Sequence, residues 1–346
     1  MTNPGALLGK AMAFQGAKLI LTGLELGLFD RLASGPAPVE KIRAELGLGD
    51  RGTEHFLAAL AEIGILELDG EQYALGEEAR TFLVSDSPAS LGGFLHVADK
   101  VMYPAWDKLG ESLRTGEPQA ATYQRDNDMF DQLYGDDDKK SDFVGMAEDA
   151  SRPLIPILVD AFDWSAHGSV LELGGCRGNV LANLVKAHPH LDATVLDLPQ
   201  LEPAFTAHMA TLGTTGQVRF HSADFFSDRL PAADVIMIGH CMVDWTDEQR
   251  KALIANVFPS VKPGGAFLIW DPMLVKSDDG YLRNLIRSLN LQLMTPHGTN
   301  YHVESCVDWL RAVGFATVEH SNIGHDVTLV VARKPQAPSI LSRSLA

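Results

Sequence analysis

The stretch VLELGGCRGN at residues 170–179 decides the fold. Its first half is an apolar run that predicts a buried strand, and the glycine-rich turn after it leads into a helical pattern. From residue 168 onward, apolar runs alternate with helical patterns, which is typical of βαβ units and a parallel sheet. Seven strands are predicted, with a tight hairpin joining the last two: 169–175, 193–198, 218–223, 233–239, 266–272, 316–322 and 326–333.

The glycine-rich turn predicts a site for an adenosine-containing cofactor. Asp197 closes the second strand, where an acid accepts hydrogen bonds from both ribose hydroxyls. A dinucleotide site needs glycines in the order G-x-G-x-x-G, whereas Gly174, Gly175 and Gly178 follow a different order. Glu172 precedes them and would repel a pyrophosphate, but it would attract the ammonium and sulfonium of S-adenosylmethionine (SAM). We therefore favour SAM, with NAD as the rival.

Further cofactor contacts are predicted where other strands end. Asp224 is placed to accept from the adenine amino group and Phe225 to pack on the ring; the alternative is that Asp224 is a simple cap at a strand end. Trp245 follows the fourth strand and would cover the other adenine face. Leu198 and Gly239 complete the predicted cofactor site.

The N-terminal part has a winged-helix pattern. Residues 5–33 form an amphipathic helix with a predicted break at Gly23 or Gly27, and two short helices then precede a hairpin that turns at Asp69-Gly70. Residues 40–80 contain four Lys or Arg against ten Asp or Glu, the wrong sign for a surface that binds DNA. We predict a dimerisation scaffold, and a DNA-binding regulator is the non-enzyme alternative.

Composition excludes several partners. The chain has 346 residues, 46% of them hydrophobic, and a formal charge of −17, so its field repels nucleic acid and anionic membranes. Three scattered cysteines argue against a disulfide framework or a zinc ribbon. No signal sequence or membrane span is evident. We expect a cytoplasmic protein that binds neither nucleic acid nor membrane.

The predicted fold class is α/β, a seven-stranded Rossmann-like methyltransferase domain preceded by an all-helical, winged-helix dimerisation domain. The antiparallel last pair of strands is the feature that favours the methyltransferase fold over other doubly wound sheets. We predict four segments: a dimerisation domain at 1–100, a helical linker at 101–162 that contributes to the acceptor pocket, a SAM-binding domain at 163–334 and a flexible tail at 335–346.

The motifs LDLPQLEP, SADFF, GHCMVDWTDEQ and VKPGGAFLIWDPML, together with the N-terminal module, resemble the SAM-dependent O-methyltransferases of the plant caffeate and bacterial antibiotic-pathway type. The resemblance covers residues 5 to 333. It implies a homodimer through the N-terminal domain, a cofactor at the ends of the first four strands and an acceptor pocket roofed by helical segments.

The chain departs from this family at the catalytic base. The family turn usually reads H-D-W, but Val243 stands at the histidine position. Of the two acids that orient the histidine, one matches Asp271 and the other falls near Asn300. Valine accepts no proton, so the acceptor must already be nucleophilic or be activated otherwise. Alignment supplies much of the rate of an in-line methyl transfer, so catalysis remains feasible.

Histidines elsewhere offer two alternatives. His240 ends the fourth strand near Asp244, and His297 and His302 lie in a segment that roofs the acceptor pocket in the family. One alternative is a divalent metal held by His240, His297 and a carboxylate, which would acidify the C–H of a 2-oxo acid. In the other, one of the two later histidines binds the acceptor or serves as a relocated base.

Acceptor-binding residues are predicted in the helical segments. Arg125 would bind a carboxylate, or else pair with a neighbouring aspartate on the surface. Aromatic, thioether and amide side chains suited to a planar acceptor form the predicted wall: Met102, Tyr103, Trp106, Asn290 and Met294. The predicted function is methylation of a carboxylated aromatic or 2-oxo acid, at oxygen by family frequency or at carbon. A SAM-binding enzyme with non-methylating chemistry is the further alternative.

Overall fold

The protein divides into two compact units, Met1–Lys100 and Val101–Ala346. The computed structural model describes residues 3–120 and 129–337. In these residues, no helix is long and apolar enough to cross a membrane. The further division predicted from sequence, with a separate linker over 101–162 and a tail from 335, stays a prediction.

The first unit is a winged helix preceded by helices. The single helix predicted for residues 5–33 is three helices in the structure. Gly27 adopts φ +68° just after the second helix, whereas Gly23 lies inside that helix. The predicted hairpin is present, with Gly70 at φ +61° in its turn. The helices are α1 Pro4–Ala11, α2 Phe14–Glu25, α3 Leu28–Ala33, α4 Val39–Leu46, α5 Asp50–Glu62, α6 Glu77–Phe82 and α7 Gly92–Val97. The strands are β1 Ala37–Pro38, β2 Leu66–Asp69 and β3 Gln72–Leu75, in the order β1-β3-β2.

The second unit contains a seven-stranded sheet, which confirms the predicted fold class. Its order is β6-β5-β4-β7-β8-β10-β9, and β10 pairs antiparallel with both of its neighbours, β8 and β9. The strands are β4 Ser169–Leu173, β5 Asp192–Asp197, β6 Val218–Ser222, β7 Ala233–Gly239, β8 Val261–Asp271, β9 Thr317–Asn322 and β10 Thr328–Arg333. The helices are α8 Tyr103–Trp106, α9 Leu109–Thr115, α10 Met129–Tyr134, α11 Asp137–Ser151, α12 Ile155–Asp160, α13 Asn179–Ala187, α14 Glu202–Leu212, α15 Asp247–Ser260, α16 Tyr281–Met294 and α17 Val303–Val313.

Three predicted strand boundaries differ from the structure by two residues or more, and several others by one. β4 ends at Leu173 because Gly174 turns the chain with φ +63°. β8 begins at Val261, earlier than predicted, and pairs there with Ala233 across an irregularity. The turn between β9 and β10 is longer than predicted, because His325 and Asp326 both adopt positive φ. These backbone choices depend on pairing partners, which periodicity does not reveal.

The central strands β4 and β7 are buried on both faces, as is typical of parallel strands. Alternate residues of β4 and β7 belong to two separate apolar clusters, one beneath α12 and α13 and the other beneath α15 and α17. Because the five parallel strands point the same way, their carboxyl ends meet at one edge. The residues predicted at the carboxyl ends of these strands therefore lie at that edge.

A glycine and a tryptophan lie in close contact at this edge of the sheet. Gly239 pairs with Trp270 across β7 and β8, and a Cβ at Gly239 would overlap the indole ring. We expect Gly239→Ala to lower the free energy of unfolding by about 1–3 kcal/mol through overpacking, measured by urea denaturation. Gly9→Ala, on an open face of α1, is the control and should be neutral or stabilising. Equal stability of the two variants would contradict this packing.

Candidate active site

The carboxyl edge of the sheet surrounds a cavity of about 650 Å³. Most of the residues predicted to bind a cofactor line it, together with two of those predicted to be catalytic: Glu172, Gly174, Gly175, Asp197, Leu198, Asp224, Phe225, Gly239, His240, Asp244 and Trp245. Gly178 does not line the cavity and lies at the start of α13. The strand-end rule thus assembles these side chains from four different strands.

The glycines of the loop after β4 are required by backbone geometry. Gly174 and Gly178 adopt φ of +63° and +80°, the left-handed region that glycine enters without cost. Gly175 has ordinary backbone angles, but a Cβ there would lie 2.9 Å from Glu172 Oε2. Cys176 reaches φ +52°, and its N–H donates to Asp197 Oδ2 at 2.8 Å. The loop is thereby tied to the end of β5.

Two buried carboxyl groups dominate the electrostatics of the cavity. Burial, reinforced by the charge of Asp197, raises the pKa of Glu172 to about 8. Burial raises the pKa of Asp197 to about 6, although the backbone N–H groups of Leu198 and Cys176 oppose the shift. Glu172 Oε2 is buried and has no hydrogen-bond partner. A buried carboxylate with an unpaired oxygen is costly to ionise, so the arrangement favours a cationic ligand.

Aromatic side chains form one wall of the cavity. Trp245 packs edge-on against Phe226 at 4.7 Å between ring centroids and lies 5.6 Å from Phe130. Tyr134 is buried and lines the same wall beside Phe143. Such a wall suits a flat heterocycle or a sulfonium. The spacing of Phe130 and Tyr134 marked one helix face, but sequence reasoning missed that α10 and α11 reach the cavity.

An ion pair that sequence reasoning also missed lies at the cavity. Arg177 of the glycine loop pairs with Glu148 of α11, and both line the cavity together with Ser151. Arg177 Nε is buried without a hydrogen-bond partner. The signal was available, since an arginine inside a glycine-rich loop has little space to turn away from the ligand.

Asp224 accepts hydrogen bonds within the turn that follows β6. Its Oδ1 accepts from the backbone N–H of Phe226 at 2.8 Å and its Oδ2 from the Ser227 hydroxyl at 2.9 Å. Asp224 therefore caps the turn after β6. It also lines the cavity, so contact with a ligand there is compatible with the cap.

The positions that match the family triad are all buried. Val243 and Asn300 are buried, and Asp271 is fully buried. Asp271 Oδ2 accepts from the Tyr301 hydroxyl at 2.7 Å, and the Arg250 guanidinium lies over the Tyr301 ring at 4.5 Å. Burial raises the pKa of Asp271 to about 7. None of the three matched positions belongs to the cavity lining described above.

The predicted metal site gains no support from the residues that the structure describes. No group of three metal-ligating side chains occurs among them. His240 adopts φ +50° and lies edge-on to Trp270 at 4.9 Å. His297 and His302 are exposed. Burial, with a further contribution from Arg287, lowers the pKa of His240 to about 3, so its ring is neutral and a weak base.

The predicted acceptor wall is assembled as a cluster of its own. Met102, Trp106 and Met294 pack in one apolar group, and Trp106 Nε1 donates to Asn290 Oδ1 at 2.9 Å. Tyr103 is half-buried at the start of α8. These side chains do not line the cavity described above. Arg125 lies outside the described residues.

The sequence and the fold match known proteins over nearly the whole chain. Residues 106–316 match a family model described as an O-methyltransferase domain, and residues 11–85 match an O-methyltransferase dimerisation domain. The tetracenomycin polyketide synthesis 8-O-methyl transferase TcmO of Streptomyces glaucescens is 38% identical over 96% of this chain and 98% of its own.

Two further proteins extend the comparison. The N,N-dimethyltransferase OxyT of Streptomyces rimosus is 31% identical over 95% of this chain and 96% of its own. The structure of PigF with S-adenosylhomocysteine (SAH) superimposes with a TM-score of 0.85 at 28% identity, covering 96% of this chain and all of the other.

The buried carboxyl of Glu172 predicts an unusual pH dependence of stability. Its pKa is higher in the folded protein than the ordinary 4.5, so folding becomes less favourable as the pH rises from 4.5 to 8. Glu172→Gln should therefore unfold at a higher temperature than the wild type above pH 8, and the difference should shrink toward pH 4.5. Glu319→Gln, on exposed β9, is the matched control. A difference that does not vary with pH would contradict the assignment.

Proposed function

Because the chain belongs to the O-methyltransferase family, we propose that it transfers the methyl group of SAM to a hydroxyl of a small, carboxylated aromatic acceptor. The observation that carries this proposal is the buried Glu172 carboxyl beside Asp197, and one oxygen of Glu172 has no hydrogen-bond partner. Two carboxyl groups at the ends of adjacent parallel strands suit a ligand that bears both a sugar and a positive charge.

The cavity residues fit SAM, which supplies an electrophilic methyl group on a sulfonium. In our assignment, Asp197 accepts from the ribose hydroxyls, and Glu172 faces the ammonium of the methionine part. Arg177 turns from Glu148 toward the carboxylate of the same part, because guanidinium matches a carboxylate in a bidentate way. Phe225 and Trp245 enclose the adenine. The close approach at Gly175 leaves no space for a side chain there.

The acceptor reacts without a protein base in this proposal. Val243 has no proton acceptor, Asp271 is held by the Tyr301 hydroxyl, and the low pKa of His240 makes it a weak base. A base contributes about 10²–10⁴-fold, whereas alignment for in-line attack contributes more. An acidic phenol, partly ionised at neutral pH, meets these conditions.

Two alternatives have weaker support. Methylation at nitrogen is favoured only by the similarity to OxyT. Metal-assisted methylation of a 2-oxo acid at carbon needs a ligand set that the described residues do not form. Non-methylating use of SAM is tested by the product, because methyl transfer releases one SAH for each acceptor that gains about 14 Da.

Calorimetry tests the cofactor site. A cation favours the ionised form of Glu172, so the affinity for SAM should rise as the pH approaches 8 from below, by up to about tenfold per pH unit. Glu172→Gln should weaken binding and flatten this dependence, while Glu319→Gln behaves as the wild type. A SAM affinity that stays constant between pH 6 and pH 8 would refute the role of Glu172.

Kinetics test the absence of a base. With a panel of hydroxynaphthoates of different acidity, the rate should rise with pH up to the pKa of the acceptor hydroxyl itself. His297→Ala and His302→Ala should each retain activity within about threefold, far less than the loss expected for a general base. A hundredfold loss in either variant, or inhibition by a chelator, would overturn this mechanism.

A further inference from the structure

Two arginines on α16 lie one turn apart and differ in their partners. Arg283 is exposed and binds both oxygens of Asp326 at 2.6 Å. Arg287 is half-buried, and its Nη1 donates to Asn284 Oδ1 at 3.1 Å. Across residues 3–120 and 129–337, no carboxylate lies within ion-pairing distance of Arg287. The carboxylate of Asp326, whose charge reaches Arg287, is already engaged by Arg283.

A half-buried guanidinium without a counter-ion is unfavourable, since buried charges in proteins are normally paired. Burial lowers the pKa of Arg287, yet arginine remains charged at any physiological pH. The side chain is also held in place. Asn284, its partner, is buried and donates from Nδ2 to the carbonyls of Met273 and Asp326, each at 2.9 Å. The structure therefore presents a fixed, unneutralised cation.

Two observations relate Arg287 to the proposed active site. Its charge acts on the ring of His240, which lines the cofactor cavity. On α16, Asn290 and Met294 follow at three- and seven-residue spacing, which places them on the same helix face. Those two residues belong to the cluster with Trp106. Arg287 thus shares a helix face with two residues of the predicted acceptor wall, and its charge acts on a residue of the cofactor cavity.

We propose that Arg287 binds a carboxylate of the acceptor and so directs the acceptor hydroxyl toward the methyl group. This inference rests on the proposed function. A guanidinium fork matches the two oxygens of a carboxylate, which a neutral ester cannot reproduce. The formal charge of −17 repels an anionic acceptor at long range, so a local cation is needed for its capture.

The test compares 3-hydroxy-2-naphthoate with its methyl ester, by fluorescence titration in the presence of saturating SAH. The wild type should bind the acid about 10- to 100-fold more tightly than the ester, as expected for charge-assisted hydrogen bonds. Arg287→Met should lose this preference. Arg283→Met, on the same helix but paired with Asp326, should keep it. Arg287→Lys, which retains the charge without the fork, should show an intermediate preference and covers the case in which Arg287→Met does not fold.

Several outcomes would overturn the inference. They are a wild type that binds the acid no better than the ester, a variant at Arg287 that keeps the full preference, or an equal loss in Arg283→Met. The affinity for SAH, measured separately, should be the same in the wild type and all three variants. Failure of the wild type to bind SAH would instead refute the proposed function, so the two failures are distinguishable.

Discussion

The burial of two carboxyl groups at one edge of a parallel sheet is the constraint on which the rest of the site depends. β4 and β5 are neighbours, so Glu172 and the end of β5 are brought together by strand pairing itself. Burial opposes the ionisation of both Glu172 and Asp197. The glycine loop, whose backbone Cys176 N–H reaches Asp197, stabilises the negative charge only in part. A cationic cofactor would complete this compensation, which links the stability of the sheet edge to ligand binding.

A buried arginine organises the backbone beside the positions that match the family triad. Arg250 is almost fully buried and donates to the carbonyl of Met242 at 2.8 Å and to that of Thr299. It thus joins the turn after β7 to the segment before α17. The Tyr301 hydroxyl occupies one oxygen of Asp271, whereas Asp271 Oδ1 and Asn300 Oδ1 are buried without a hydrogen-bond partner. The substitution at Val243 is consistent with an acceptor that supplies its own acidity.

Taken together, our proposals describe a site with separated charges. Carboxyl groups face the cofactor end, where a cation is expected, and the Arg287 guanidinium faces the acceptor end. This separation lets one strongly acidic protein bind a cation and an anion side by side. Long-range attraction favours the cofactor, whereas the acceptor depends on short-range hydrogen bonds that a screened or distant charge cannot replace.

The sequence by itself determined the sheet, the glycine loop and the residues at the strand ends, because periodicity and glycine placement are local signals. Thus Glu172, Asp197 and Trp245 were predicted at the cavity and line it. Only the tertiary structure decided that Glu148 pairs with Arg177 and that Tyr301 binds Asp271. It also decided that Arg283 pairs with Asp326, whereas Arg287 on the same helix has no ion-pair partner among the described residues. Such pairings join residues far apart in sequence, and packing between elements, not pattern within them, selects the partner.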